Sequence, residues 1–328
     1  MRVSGQRTAH ETWLASDCSN AIDRYANWLY SMRRADRGES LVSLMVALSL
    51  SLGIVLSVIH LTVQAELLHQ RARQLSLLED QAHQVIELIE RLLQQAGYVD
   101  VAKPMPVQAA RPLEGAIDGA DNAIVSGNAQ AGTVTAKSVS LASDLLLIHL
   151  RGDDMGRVIN CAGFPIPVAA GPNDFSGRSV LYVGLDPANE PELRCYFRGS
   201  SQWSSQALAS GVLTFQIRFG LDTDNDGLPN LFVSASQLSD ITAHQASSEL
   251  SPRTRIVALH IALLVRSTQR LTSSVVAKPF LLFGWKPDAC VNDPGVDEQV
   301  LPSQLKPNRL YRQFDKVIFL NNSLRPDA

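Results

Sequence analysis

Between Glu39 and Glu66 the chain carries no charged side chain, and past Glu66 its apolar positions narrow to a stripe. The first pattern predicts a helix that is apolar all round. About 20 consecutive apolar helical residues cross the ~30 Å hydrocarbon core of a bilayer, so 41–63 is long enough to span. Arg33, Arg34 and Arg37 precede it and Glu66 is the first acid after it. That asymmetry keeps the N-terminus in the cytoplasm and exports everything past residue 65. A secretory signal peptide fits less well, because its apolar core is about 7–15 residues long and ends at a small-residue cleavage site. Here the run continues straight into a second helical pattern.

That second pattern is AELLHQRARQLSLLEDQAHQVIELIERLLQQA, residues 65–96, with no Gly or Pro. Leu68, Leu75, Ala82, Ile89 and Ala96 form one seam, and Leu78, Val85 and Leu92 a second beside it. Both recur at helical spacing, and Gly97 stands where helices commonly stop. One helix is therefore expected from 39 to 96, with its first half (39–64) in the membrane and its second half (65–97) amphipathic. The stripe suits a coiled-coil partner or the face of a sheet, and the seam alone does not choose.

Residues 98–138 read as a loop-rich connection, with Pro104, Pro106 and Pro112 blocking regular structure. From 139 to 328 the chain reads as a β-rich head. Short apolar runs lie between turn signals at 144–150, 179–185, 192–197, 212–220, 255–265 and 316–320. In TFQIRFG, Phe215, Ile217 and Phe219 alternate with Gln216 and Arg218, as in a strand with one buried face.

Composition changes this picture little. The net charge of −3 points to neither nucleic acid nor a strongly charged partner. The cysteines are Cys18, Cys161, Cys195 and Cys290. Cys161 and Cys195 flank a turn-rich segment in strand-like contexts of an exported domain, so a bridge between them is expected, leaving Cys18 and Cys290; Cys290 is then free and buried, displaces one of the pair, or bonds to a partner. There is no G-x-S-x-G, Walker-type loop or H-E-x-x-H, and the histidines are dispersed, so no enzyme is expected. Arg309, Arg312, Lys316 and Arg325 tint the C-terminal segment basic, which reads as a solvated face.

Asp222-Thr-Asp224-Asn-Asp226-Gly227 has the front half of an oxygen-ligand calcium loop, with carboxylates at positions 1, 3 and 5 and Gly at 6. Leu228 offers a backbone carbonyl at 7 and Asn230 a ligand at 9. Val233 stands where an EF-hand has its bidentate Glu, so a site here is shallow and weak, about 10⁻⁴–10⁻³ M as in extracellular modules. A metal-free turn between strands accounts for the same residues.

The N-terminal motif G-x-S-L-V-x-L-M-V-A-L-x-L, Gly38 to Leu50, followed by a long helix and a β-head, resembles a type IV prepilin. More closely, the chain resembles the PilW-like minor pilins. LLQQAGYVD (92–100) is similar to the end of their long helix. GVLTFQIRFGLDTDNDG (211–227), RIVALHIALLVRS (255–267) and YRQFDKVIFLNNSLR (311–325) are similar to their strands. The resemblance covers residues 33 to 325. It implies an α+β, type IV pilin-like fold, with the amphipathic half-helix packed on an antiparallel sheet, and it favours sheet over coiled coil. It also implies that prepilin peptidase cuts after Gly38 and the helix is kept. Met32 is then the natural start, with 1–38 as leader and 1–31 as an upstream extension; a genuine long leader is the competing reading. The implied partners are other minor pilins and the major pilin, the inner-membrane assembly platform and a tip adhesin. Type II secretion pseudopilins share the N-terminal layout, and an uncleaved membrane-anchored periplasmic binding protein is the alternative outside the family.

Two residues depart from the family pattern: Glu39 where Phe is usual, and Ser43 where Glu is usual. A carboxylate at the latter position can pair with a neighbour's N-terminal amine during assembly. Ser43 cannot, which by analogy with secretion pseudopilins suits a tip or priming subunit better than a shaft subunit. A diverged copy is the alternative.

Overall fold

The computed structural model describes residues 40–97, 116–125, 134–137, 141–168, 177–198, 202–244, 255–271, 278–283 and 299–321. The chain divides into two units, Met1–His69 and Gln70–Ala328.

One helix, α1, runs from Leu41 to Gln95. It begins where the carbonyl of Ser40 accepts the amides of Ser43 (2.7 Å) and Leu44 (3.3 Å). It ends at Gly97, whose φ of 71° is the left-handed stop expected there. Within the second unit, α1 buries Leu78, Ala82, Val85, Ile89 and Leu92, together with Ile86 and Leu93, and Ala96 just past its end is buried too. These are the predicted seams from Leu78 onward; Leu68 is exposed and Leu75 only partly covered. The stripe faces sheet rather than a second helix, since Ala82 and Val85 share a small void with Ala209, Val212, Leu263 and Val265.

The head has two main antiparallel sheets. The first has the order β1 (Ile117–Ala120), β4 (Leu145–His149), β5 (Arg178–Leu185), β6 (Pro191–Arg198), β7 (Trp203–Ser210). The second has the order β13 (Tyr311–Phe319), β10 (Ile256–Arg266), β8 (Val212–Leu221), β9 (Leu231–Val233). Short hairpins pair β2 (Ala123–Val125) with β3 (Val134–Lys137) and β11 (Phe280–Leu281) with β12 (Gln299–Val300). A second helix, α2, spans Ala235–His244. Strands β1, β2 and β3 fall inside 98–138, so the expected loop-rich connection instead carries part of the β-structure. Each is only three or four residues long, too short for an alternating pattern to register.

The chain passes from the first sheet to the second at Gly211, with φ at 78°. A Cβ there would lie 2.4 Å from the carbonyl oxygen of Arg266, so only glycine fits. Asp144 joins the two sheets elsewhere: its amide donates to Phe215 O (2.7 Å) and its carboxylate accepts the amides of Ile217 (3.0 Å) and Asn122 (3.1 Å).

Phe215, Ile217 and Phe219 lie in the main core with the helix stripe, as their alternation predicted. The opposite face of β8 differs from expectation. Gln216 is buried, because Leu282, Val300 and Leu305 cover that face together with Leu213, Ala262 and Leu264. Arg218 keeps its guanidinium 4.8 Å from the centre of the Phe283 ring. The covering residues lie more than sixty positions downstream, so no local pattern shows them.

Candidate functional site

The feature with functional consequence is the first half of α1. Every Leu, Ile, Val and Met from Leu41 to Val63 is at least 52% exposed. Its hydroxyls are satisfied within the helix: Ser43 donates to Ser40 O (2.9 Å), Ser49 to Val46 O (2.8 Å), Ser51 to Leu48 O (2.9 Å), Ser57 to Gly53 O (2.8 Å) and Thr62 to Ile59 O (2.8 Å). A surface that is apolar all round and has its polar atoms internally bonded suits an apolar surround, where an unmet hydroxyl costs several kcal/mol, roughly 2–7. This helix is long and apolar enough to cross a membrane and fits a membrane anchor. Gly38 and Glu39 lie outside the described residues. Ser43 turns its hydroxyl back into the first turn.

The second half of α1 is held to the head by ionic contacts as well as apolar ones. Glu79 pairs with Arg312, and Glu90 accepts from Lys316 Nζ at 2.6 Å. His83 meets the Phe314 ring edge-on at 6.1 Å between centroids. Gln95 Oε1 accepts the amide of Ile159 at 2.9 Å. The basic tint of the C-terminal segment is a solvated face at Arg312 and Lys316, which are partly exposed, but not at Arg309. Arg312 and Lys316 on β13 reach acids on α1, and Arg309 is buried against Glu190. Arg325 lies outside the described residues.

Cys161 and Cys195 form a disulfide, with Cα atoms 6.1 Å apart and a sequence separation of 34. Cys195 lies on β6, whereas Cys161 is in a turn rather than the strand-like setting expected of it. The bond ties the segment around 151–168 to the first sheet. That segment is shaped locally by Asp153, whose carboxylate accepts the amide of Arg157 (2.6 Å) and pairs with its Nε (2.5 Å). The Arg157 side chain holds the Asp153 carboxyl below its ordinary pKa. Cys290 and Cys18 lie outside the described residues.

The loop after β8 brings Asp222, Asp224 and Asp226 together, with one carboxylate oxygen of each within 4.8 Å of the others. Asp222 is buried, and it accepts the amides of Asn225 (2.6 Å) and Gly227 (2.8 Å). Burial pushes its carboxyl up, but hydrogen bonds led by the Gly227 and Asn225 amides outweigh this and hold it below its ordinary pKa. Asn230 turns its side-chain oxygen to Thr223, accepting both the amide and the hydroxyl at 3.0 Å. The gathered oxygen set is therefore the three carboxylates, with Asn230 closing the loop instead. Asn225, at φ 66°, takes the left-handed step that lets the chain fold back.

The layout is thus a membrane-capable helix continuing into a half that packs on antiparallel sheets. The model of the family described as Type IV Pilus-assembly protein W, PilW, matches residues 180–322, from β5 to just past β13. No curated protein matches the chain. Among solved structures, a type IV-like pilin from Thermus thermophilus is similar at 12% identity, covering 75% of this chain and 97% of its own, with a TM-score of 0.31. The family match, over residues 180–322, supports a pilus-related, pilin-type role.

Proposed function

We propose that the protein is a minor pilin of a type IV pilus. Prepilin peptidase cuts after Gly38, and 41–63 then holds the mature chain in the inner membrane with its head in the periplasm. The same apolar half-helix later packs among other minor pilins and the major pilin as the assembly platform extracts it. The observation that carries the reading is the bare apolar half of α1, continuous with a half locked into a head that matches the PilW family over 180–322.

Ser43 supports a place at the tip or in priming. A shaft subunit buries a carboxylate that needs a partner, because an unpaired buried charge costs several kcal/mol. Ser43 brings no such charge, and its hydroxyl is already bonded to Ser40. A tip subunit beneath an adhesin needs no pairing with a subunit above it.

The Asp222, Asp224 and Asp226 carboxylates suit a hard divalent cation such as calcium, which takes oxygen ligands and would rigidify the loop. A calcium-dependent rise in the melting temperature of the full chain, lost in Asp224→Asn, tests this; an unchanged temperature at millimolar calcium rejects it.

The test of the main reading is intact mass and N-terminal sequence of the membrane-extracted protein, with and without prepilin peptidase. The expected mature chain starts at Glu39 only when the peptidase is present. An uncut chain in both strains leaves a plain signal-anchored protein. A deletion strain separates the pilus from the secretion machine: loss of pili supports the minor pilin, and loss of enzyme export supports the pseudopilin.

A further inference from the structure

Glu190 ends the turn between β5 and β6, and three cations from distant parts of the chain converge on it. Arg266, the last residue of β10, pairs with its Oε2, while Lys306 and Arg309 reach Oε1 at 3.3 and 3.4 Å. The Arg266 and Arg309 side chains are 3% and 7% exposed, whereas Glu190 and Lys306 are 34% and 52% exposed. The group therefore has a buried floor and an open mouth.

Among the described residues, charge does not balance there. Three cations against one carboxylate leave two positive charges, and counting Arg270 and Asp186, which also act on the cluster, leaves the same two. Buried guanidinium groups ordinarily come with matched anions, since desolvating an unpaired charge is costly. Lys306 is held below its ordinary pKa by Arg266, then by burial, Arg309 and Arg270, as expected of cations crowded together.

The arginines are also fixed in place. The Arg266 amide donates to Gly211 O at 2.8 Å, where no larger residue fits. Arg309 donates through Nη1 to Ser267 O (2.8 Å) and to Thr268 O. Its Nε is buried and has no hydrogen-bond partner within the described protein. A rigid donor fork with spare positive charge and an opening to solvent is what a tetrahedral oxyanion requires.

We propose that Arg266, Arg309 and Lys306 form a binding site for a phosphate group, with Glu190 as the internal anion that occupies it in the ligand's absence. The phosphate comes from solution or from an anionic lipid headgroup. The adjoining loop reaches α1, where Gln74 donates to Gln269 at 3.3 Å. Unlike the minor-pilin reading, this inference needs neither cleavage at Gly38 nor assembly into a pilus.

The test uses the full chain in uncharged detergent micelles. One arm titrates inorganic phosphate at constant ionic strength by calorimetry. The other counts bound phosphatidylglycerol against phosphatidylcholine by native mass spectrometry. Saturable binding in the first arm identifies free phosphate as the ligand, and selective phosphatidylglycerol adducts alone identify the headgroup. In either case Lys306→Gln weakens binding about tenfold, as loss of one charge-assisted contact predicts. Glu190→Gln strengthens it by a similar factor, because the competing carboxylate is gone. Both substitutions change partly exposed side chains. No saturable binding in either arm overturns the proposal. So does a Glu190→Gln variant that melts earlier without gaining affinity, which marks a purely internal ion cluster. Binding that neither substitution alters places the ligand elsewhere and also overturns it.

Discussion

The two halves of α1 share one backbone geometry and differ in what their side chains meet. In the head-borne half, Ile89, Leu92 and Leu93 are fully or almost fully buried, and the opposite face carries charged groups such as Glu87 and Arg91. In the other half no face is polar and the large apolar side chains are exposed. The contrast separates two origins of helix stability. The first half needs only an apolar solvent, in which a helix alone satisfies the backbone. The second is stabilised by tertiary burial of one face, the usual situation in water.

Substitutions of matched size sharpen this contrast. Ile89→Asp places a carboxylate in the core and is expected to unfold the head, with a loss of more than about 4 kcal/mol. Rapid proteolysis of the membrane-bound protein reads that outcome. Ile89→Ala costs about 2–5 kcal/mol in urea unfolding, whereas Leu56→Ala removes a similar group and leaves the head's unfolding midpoint unchanged. An equal effect of the two would break the comparison. Replacing both Cys161 and Cys195 by Ser costs about 3–4 kcal/mol through the loop-closure entropy of the unfolded chain, read by the same unfolding curve. Lys316→Gln removes one partly exposed ion pair with Glu90 and is worth at most about 1 kcal/mol, declining with added salt.

The smallest effect is on pH. Asp153 and Asp222 both titrate below their ordinary value in the folded chain. Their contribution is complete above the unfolded carboxyl pKa, near 4, and is lost as pH falls through the lower folded values. Protection factors for amide hydrogen exchange at Arg157 and Gly227, corrected for the intrinsic pH dependence of exchange, should fall in that acidic window and stay constant from pH 5 to 7.

The helix was legible because an uncharged apolar run over 41–63 passes straight into a helical period over 65–96 that contains no Gly or Pro. What covers its stripe was not. Leu78, Val85 and Leu92 would present the same seam to another helix, and only the positions of β7, β8 and β10 decide otherwise. Strands β4, β5, β6, β8 and β10 were legible from their apolar runs. β7, WSSQALAS, was not, since it is an edge strand with polar residues at half its positions. The gathering of Asp222, Asp224 and Asp226 is a local matter of loop spacing and could be read. That Asn230 spends its oxygen on Thr223 is set by the return of β9 alongside β8 and could not. Glu190, Arg266 and Arg309 are separated by 76 and 43 positions, so nothing in sequence announced their meeting. The one available hint was an arginine closing an eleven-residue strand of otherwise mostly apolar residues.

The pairing of Glu79 and Glu90 on α1 with Arg312 and Lys316 on β13 also sets an order of events in biosynthesis. The helix leaves the ribosome more than two hundred residues before the strand that fastens it. The stripe from Leu78 to Ala96 can lie on β7, β8 and β10 once these are made, but the Glu79 and Glu90 pairs close only when β13 is complete.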